Sequence, residues 1–313
     1  MALVSHIPGK SIIREFEYKL SDYFSMPHCI ATCNASISIY AVFKSLGIEN
    51  SEVITTPLTW PGAITGLIWN NNYPIFCDIE ESTFTISPDL IEQKITSKTK
   101  AVFTADFQGY PARLDKIAAI CKKNNLLLIH DAASSFGSAY KSKPSGYFAD
   151  ITIVSFGQKK LFSLGEAGAI LVNTDTHYHL IAENILHPEN QSLIKENINP
   201  FFLNISINPL AAQYGVNNFD RALFSIKEKA KQIENILFSE FGIKQKINIS
   251  PNYHSVLLKD TLGNNKDIGN KLLNDYCLID IEKKDFAGQF PVLRNVLNSY
   301  GAIKPKCLYK LSC

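Results

Sequence analysis

The chain of 313 residues has no strong excess of either charge, since 31 basic residues stand against 29 acidic ones and the formal net charge is +2. Proteins that bind nucleic acid or an anionic lipid surface through charge carry a marked basic excess, so this balance favours a small-molecule partner. No apolar run approaches the length that crosses a bilayer, and residues 1–10 lack the charged start and apolar centre of a secretory signal. We therefore expect a cytoplasmic protein without a membrane partner.

Cysteine spacing gives no sign of a metal site. Of the seven cysteines, Cys29 and Cys33 stand four positions apart, without a second such pair and without a nearby His-x-x-x-His. Structural zinc sites usually combine two short-spaced pairs of ligands. The sequence therefore predicts reduced thiols and no bound metal, which is usual for a cytosolic protein.

The chain does contain a regular alternation of short apolar runs and helical segments. Strands are predicted over 28–32, 53–56, 73–77, 101–104, 126–130, 151–156 and 169–172. Helices are predicted between them over 37–46, 63–69, 88–95 and 114–123. Parallel neighbours in a sheet need crossover connections, so this order predicts an α/β protein whose mostly parallel sheet is covered on both faces.

The C-terminal third suggests a second, smaller lobe. A long helix is predicted over 209–241, followed by strands over 255–258 and 278–281 that flank a helix over 268–276. A hydrophobic content of 46% is enough for one large core and a smaller one. We therefore expect a large domain over 1–215 and a small α/β domain over 216–313.

An acid and a lysine pair stand where such a sheet would place a ligand. Asp131 ends the predicted strand 126–130, and Lys159 and Lys160 precede a glycine turn further along. Ligands gather beyond the carboxyl ends of parallel strands. A lysine can hold pyridoxal phosphate as a Schiff base, and a buried carboxylate can keep the ring nitrogen protonated, so that the ring withdraws electrons from a carbanion. A loop-capping aspartate and a solvated lysine are the alternatives, and the pattern does not separate the two lysines.

A candidate phosphate site lies between the first predicted strand and helix. The N–H groups of Ala35 and Ser36 would point, together with the positive end of the helix, toward an anion. A serine that only caps the helix is the alternative.

Several motifs occur in a fixed order along the chain. They are Ile-Thr-Thr-Pro-Leu-Thr-Trp at 54–60, Phe-Cys-Asp-Ile at 76–79, Ser-Lys-Thr-Lys-Ala-Val at 97–102, Ile-His-Asp-Ala-Ala-Ser-Ser-Phe-Gly-Ser-Ala-Tyr-Lys at 129–141, then Gly146, Asp150 and Ser155-Phe156, and Lys-Leu-Phe-Ser-Leu-Gly-Glu-Ala-Gly-Ala at 160–169. This succession resembles the DegT/DnrJ/EryC1/StrS sugar aminotransferases, closely over about residues 10 to 172 and weakly to about 235. The family's cofactor lysine stands five residues before a Gly-Glu pair, which selects Lys160. The resemblance implies pyridoxal phosphate as cofactor and fold type I, with a mostly parallel seven-stranded sheet.

The resemblance also implies roles for individual residues. Lys160 would form the Schiff base and move a proton between substrate and cofactor, while Asp131 would hold the ring nitrogen. The other implied cofactor contacts are Ala35 and Ser36 at the phosphate, Trp60 stacked on the ring, Ser134 near the ring, Ser155 at the phosphate, and Asn204 reaching the phosphate of the neighbouring subunit. The contact from Asn204 would require a homodimer whose active site lies at the interface.

The implied reaction moves an amino group from glutamate or a similar donor to a keto group of a nucleotide-linked sugar, as in polysaccharide biosynthesis. Departures from the family pattern are Ser134 in place of a glutamine, Ser206 in place of an arginine and Ala167 in place of a glycine. The chain is also shorter at both ends than typical members. The protein could therefore use an unusual acceptor, or catalyse another pyridoxal phosphate reaction such as dehydration or elimination. It could also be a subunit completed by another chain, or a cofactor-binding protein without turnover.

Overall fold

A seven-stranded sheet forms the centre of the protein in a computed structural model. The structure describes residues 11–80, 82–187, 191, 199–200, 202–241, 248–254, 256–258 and 278–280. For residues 240–241, 256–258 and 278–280 it describes only the backbone. The strands are β1 (His28–Thr32), β2 (Glu52–Thr55), β3 (Tyr73–Phe76), β4 (Thr99–Ala105), β5 (Leu127–Asp131), β8 (Ile151–Ser155) and β9 (Gly168–Val172). All seven predicted strands are confirmed, with small shifts at their ends.

The sheet runs in the order β1-β9-β8-β5-β4-β2-β3. The strands β3, β2, β4, β5 and β8 pair in parallel, whereas β9 is antiparallel to both of its neighbours. The carboxyl ends of the six other strands and the start of β9 therefore meet at one edge. This confirms the predicted α/β class and mostly parallel sheet.

The helices are α1 (Ile12–Phe24), α2 (Ala35–Ser45), α3 (Pro61–Ile68), α4 (Pro88–Ile91), α5 (Leu114–Lys123), α6 (Asp175–Ile185) and α7 (Pro209–Phe241). Helices α5 and α7 have the predicted bounds. The single helix predicted over 88–95 is shorter, because α4 ends at Ile91 and a 3-10 turn, Glu92–Lys94, continues the chain. Helices α1 and α6 were not predicted.

Helices cover both faces of the sheet and enclose its core. On one face, side chains of α2 and α6 such as Phe43 and Tyr178 pack with Phe103 of β4. On the other, α1 and α7 contribute Phe16 and Phe219. A Cβ on Gly215 of α7 would lie 2.7 Å from the Phe16 ring, so the missing side chain allows these two helices to approach closely.

Two smaller sheets accompany the central one. The strands β6 (Ala139–Tyr140), β7 (Lys143–Pro144) and β10 (Ile249–Ser250) form an antiparallel group. The strands β11 (Val256–Leu258) and β12 (Leu278–Asp280) pair in parallel and confirm the two strands predicted there. The helix predicted over 268–276 lies outside the described residues, and the boundary predicted between 215 and 216 falls inside α7.

Within the described part of the chain, no helix is both long enough and apolar enough to cross a membrane. Among those same residues, no three or more histidine, cysteine, aspartate or glutamate side chains are grouped so as to hold a metal ion.

Candidate active site

Asp131 is the last residue of β5 and lies at the carboxyl edge of the sheet. Its side chain is buried, with a relative exposure of 7% for the residue. One carboxylate oxygen, Oδ1, accepts a hydrogen bond of 2.8 Å from the Ala133 N–H, and the main-chain oxygen accepts one of 3.0 Å from Asp106. The turn that follows the strand therefore fixes the direction of the carboxylate.

Burial raises the pKa of Asp131 above its ordinary value, although the Ala133 N–H and the Lys160 ammonium act in the opposite direction. A carboxylate in this setting is poorly solvated, and a cationic or proton-bearing partner would stabilise it. The protonated nitrogen of a pyridine ring is such a partner.

Lys160 lies on the loop between β8 and β9, which an aromatic cluster holds in place. The Lys160 N–H donates to the Gly157 carbonyl at 3.0 Å. Two residues later, the Phe162 ring packs against Phe136 at 5.5 Å and Phe156 at 5.6 Å between centroids. Because Phe136 belongs to the turn after Asp131, this contact joins the lysine loop to the acid loop.

Lys160 is near enough to Asp131 for the two charges to interact. Burial lowers the pKa of the Lys160 amine, and the Asp131 carboxylate acts in the opposite direction. The neighbouring Lys159 is exposed, whereas Lys160 is half-buried. A partly desolvated amine is more easily deprotonated, and a neutral amine is the form that attacks an aldehyde. Of the two neighbouring lysines, Lys160 is therefore the one whose surroundings suit this chemistry.

The start of α2 presents free amide donors at the same edge. Asn34 caps the helix, since its Oδ1 accepts from the Ile37 N–H at 3.0 Å. The first helical residues are Ala35 and Ser36, whose N–H groups have no partner within the helix. A Cβ on Gly168 would lie 2.7 Å from the Asn34 carbonyl carbon and 2.8 Å from the Ala35 nitrogen, so this glycine lets β9 approach the turn.

Trp60, Ser36 and Ser155 stand close to this turn. A Cβ on Gly62 would lie 2.7 Å from Ser36 Oγ and 3.0 Å from the Trp60 ring, so the indole and the hydroxyl are near each other. Trp60 precedes α3 and is 65% exposed, which places it outside the core. Ser155 ends β8 and pairs with Gly168, the residue that touches the turn.

Two other predicted residues lie further from this group. Ser134 Oγ donates to the Asp106 carbonyl at 3.2 Å, so its hydroxyl supports the turn after Asp131. Asn204 is exposed on a segment that runs beside β1, where the Cys33 N–H donates to the Ile205 carbonyl at 2.7 Å. The segment that carries Asn204 is therefore on the surface beside the turn that begins α2.

The sequence did not single out the polar residues behind Asp131. The Asp106 carboxylate, with no exposed side-chain surface, accepts hydrogen bonds from the hydroxyls of Ser135 and Ser145 and lies 3.3 Å from His130 Nε2. It also accepts from the Ala112 N–H at 2.8 Å. The only sequence signal for Asp106 was its position directly after β4, which corresponds to the position of Asp131 at the end of the neighbouring strand β5.

His254 was also missed, although it lies beside the lysine. Its Nε2 is 3.1 Å from the Lys159 carbonyl oxygen, and its Nδ1 is 3.2 Å from the side-chain amide of Gln108. Burial and the Lys160 ammonium both lower the pKa of the ring. Nothing near His254 in the sequence indicates this position, because its partners are 95 and 146 residues away.

The residues at this edge fit pyridoxal phosphate. Asp131 offers a buried anion to the ring nitrogen, Lys160 an amine to the aldehyde, and the start of α2 offers N–H donors to the phosphate. With the mostly parallel sheet, this arrangement is that of the fold type I class of pyridoxal phosphate-dependent transferases.

The chain belongs to the DegT/DnrJ/EryC1/StrS aminotransferase family, whose sequence profile matches residues 6–256. It is 34% identical over 182 residues to the GDP-perosamine synthase of Escherichia coli O157:H7, a match that covers 58% of this chain and 49% of that protein. The match therefore spans about half the length of that relative. Membership confirms the predicted family and fold class, and pyridoxal phosphate is the cofactor of that family.

Solved structures share the fold. The sugar aminotransferase CalS13 from Micromonospora echinospora superposes with a TM-score of 0.72 at 18% identity, covering 86% of this chain and 77% of that one. The putative sugar aminotransferase Spr1654 from Streptococcus pneumoniae, in its PLP form, gives a TM-score of 0.69 at 22% identity, covering 80% and 71%.

Proposed function

We propose that this protein is a pyridoxal phosphate-dependent aminotransferase whose catalytic residues are Lys160 and Asp131. The observation that carries the proposal is that a half-buried lysine and a buried carboxylate lie at the carboxyl edge of the sheet, on two loops joined by the Phe136–Phe162 contact, and near enough for each charge to shift the pKa of the other. Family membership supports the same reaction class.

When bound, the cofactor supplies an electron-withdrawing ring that stabilises negative charge on the substrate carbon. Asp131 holds the proton on the ring nitrogen, which its buried carboxylate favours. Lys160 first holds the cofactor aldehyde through Nζ. Once released by the amino donor, the same Nζ would be the base that takes the proton from the donor carbon and the acid that gives it back.

The N–H groups of Ala35 and Ser36 at the start of α2 would hold the phosphate, together with the hydroxyls of Ser36 and of Ser155 at the end of β8. The helix dipole contributes to this site as well. Trp60 lies beside Ser36 and would cover the ring, while the Ser134 hydroxyl supports the turn after Asp131.

The donor is glutamate or a similar amino acid, and the acceptor is a keto group on a nucleotide-linked sugar. The similarity to a GDP-perosamine synthase supports this acceptor, since its named product is an amino sugar attached to a nucleotide. That match covers 49% of the relative.

We further propose a cytoplasmic homodimer with the active site at its interface. Asn204 is exposed beside the turn that begins α2, so it is free to approach a second subunit. Trp60 and Trp69, at the two ends of α3, are exposed by 65% and 66%, and a partner subunit would cover such apolar side chains. The cofactor site would occupy the domain over 1–215, and 216–313 would form the smaller domain.

The proposal is tested by the visible spectrum of the purified protein with pyridoxal phosphate, before and after glutamate is added. The wild type should show the absorbance of lysine-bound cofactor, and glutamate should shift it as the amino group transfers. Lys160→Ala should show neither the lysine-bound band nor the shift.

Lys159→Ala is the matched control, because the Lys159 side chain is adjacent to Lys160 but exposed. His254 contacts the main-chain carbonyl of Lys159, which the substitution keeps. It should behave as the wild type. A wild type that binds no pyridoxal phosphate, or a Lys160→Ala variant that responds to glutamate as the wild type does, would contradict the proposal.

A further inference from the structure

A short segment after α7 crosses the back of the site. It comprises residues 251–254, here called the strap, and its central residue Asn252 is 3% exposed. The Asn252 side-chain amide donates to the Ser134 carbonyl at 3.0 Å and to the Phe136 carbonyl at 2.9 Å. Its main-chain N–H donates to Ser138 Oγ at 2.9 Å. One side chain thus satisfies two carbonyls of the turn that follows Asp131.

The strap reaches the lysine loop through its last residue. Asn252 Oδ1 accepts from the His254 N–H at 2.8 Å, which fixes the backbone that carries the imidazole. His254 Nε2 in turn lies 3.1 Å from the carbonyl oxygen of Lys159, the residue immediately before Lys160. Hydrogen bonds therefore run without a break from the acid loop, through the strap, to the lysine loop.

The surrounding backbone leaves room for this side chain. A Cβ on Gly109 would lie 1.9 Å from Asn252 Oδ1 and 2.9 Å from the His254 nitrogen, and Gly109 has a φ of +91°. Gly109 also accepts through its carbonyl from Ser138 Oγ at 2.7 Å, the same hydroxyl that meets the Asn252 N–H. The strap therefore occupies a fitted slot and not an open surface.

We propose that Asn252 and His254 are positioning residues that set the separation between Asp131 and Lys160, so that one pyridoxal phosphate ring can meet both. The inference rests on the proposed function of the site. Its physical reason is that the two groups lie on different loops, and that hydrogen bonds tie both loops to the strap, with the one from Asn252 to the Phe136 carbonyl buried. Loss of this brace lets the loops move independently, and a displacement of about 1 Å lowers a reaction rate on the order of 100-fold.

The test compares Asn252→Leu, which removes the amide while keeping similar volume, with two changes at His254. His254→Gln keeps a donor for the Lys159 carbonyl, whereas His254→Leu has none. Asn218→Leu is the matched control, since the Asn218 amide is exposed and donates only to Tyr214 of its own helix.

Two measurements are made on each variant. Amide hydrogen exchange of the cofactor-free protein reports on the loops 131–137 and 157–162. Titration with pyridoxal phosphate, followed by borohydride reduction and mass analysis, gives the affinity, the labelled lysine and the pH midpoint of labelling.

In both Asn252→Leu and His254→Leu, the amides of the lysine loop should exchange faster than in the wild type. In Asn252→Leu the amides of the acid loop should exchange faster as well. Both variants should bind pyridoxal phosphate at least about tenfold more weakly, which corresponds to 1.4 kcal/mol. The pH midpoint of Lys160 labelling should shift in both. His254→Gln and Asn218→Leu should resemble the wild type. If Asn252→Leu does not fold, the pair at His254 decides alone.

Unchanged exchange and unchanged affinity in Asn252→Leu and His254→Leu would overturn the inference, as would equal losses in His254→Gln and His254→Leu. A wild type that is not labelled at Lys160 would instead refute the proposed function. In that case, faster exchange in the lysine loop of His254→Leu would still show that the strap holds the lysine loop in place.

Discussion

The substitution Asp131→Asn separates the electrostatic role of this residue from its structural one. The asparagine oxygen can still accept the hydrogen bond that Oδ1 receives from Ala133 at 2.8 Å. Only the negative charge and its hydrogen bond to a ring nitrogen are lost. A hydrogen bond to a charged group contributes about 1.5–3 kcal/mol, so pyridoxal phosphate should bind roughly 10- to 100-fold more weakly.

The cofactor-free variant should be more stable than the wild type at neutral pH. Burial raises the folded-state pKa of Asp131, so the stability that this group contributes is complete below its unfolded value of about 3.9 and is lost as pH rises through the folded pKa. Asparagine has no charge to desolvate and avoids this loss. The pKa of Lys160 should fall further, because the Asp131 carboxylate that raises it is gone.

Three assays check this prediction: thermal unfolding without cofactor, absorbance titration with pyridoxal phosphate, and the pH midpoint at which Lys160 is labelled. The expected result is a higher melting temperature, weaker binding and a lower midpoint. Cofactor binding and glutamate response equal to the wild type would refute the reasoning, because they would show that the carboxylate does not meet the ring.

Three further predictions concern the phosphate turn and the interface. Asn34→Ala removes the cap of α2 and should cost about 1 kcal/mol of stability, seen in chemical unfolding, while weakening pyridoxal phosphate binding. Gly168→Ala should weaken the affinity measured by absorbance, because its Cβ would collide with the backbone of Asn34 and Ala35; Gly157→Ala, whose Cβ would meet no atom closer than 3.7 Å, should be tolerated. Mixing Asn204→Ala subunits with Lys160→Ala subunits should restore the absorbance of lysine-bound cofactor in the mixed dimers. The absorbance should reach up to about half the wild-type value, because one of the two sites in each mixed dimer is intact. No recovery in verified mixed dimers would contradict a shared site.

The periodicity of the sequence predicted most of the large sheet. Runs such as 28–32 and 151–154 are buried throughout, so their apolar composition alone indicated strands. The reversed direction of β9 was not predicted, because an apolar strand buried on both faces reads the same in either direction. Helix α1 was missed as well, and its buried Glu17 interrupts the apolar face that such a prediction needs.

The acid and the lysine were predictable because each stands at the end of a recognisable strand or next to a glycine motif. The residues behind them were not. Asn252 lies 118 residues from Ser134, and His254 lies 95 residues from Lys159. Contacts over such separations depend on how the loops fold onto one another, which local pattern does not encode.

The length of α7 has a mechanical consequence. Its 33 residues form one rod of about 50 Å, and the proposed boundary between 215 and 216 lies within its first quarter. A continuous hydrogen-bonded helix does not bend sharply without a proline or a similar break, so this boundary cannot act as a hinge. Residues on both sides of this boundary therefore move as one body with the large sheet, against which Phe219 and Ile226 of the rod are packed.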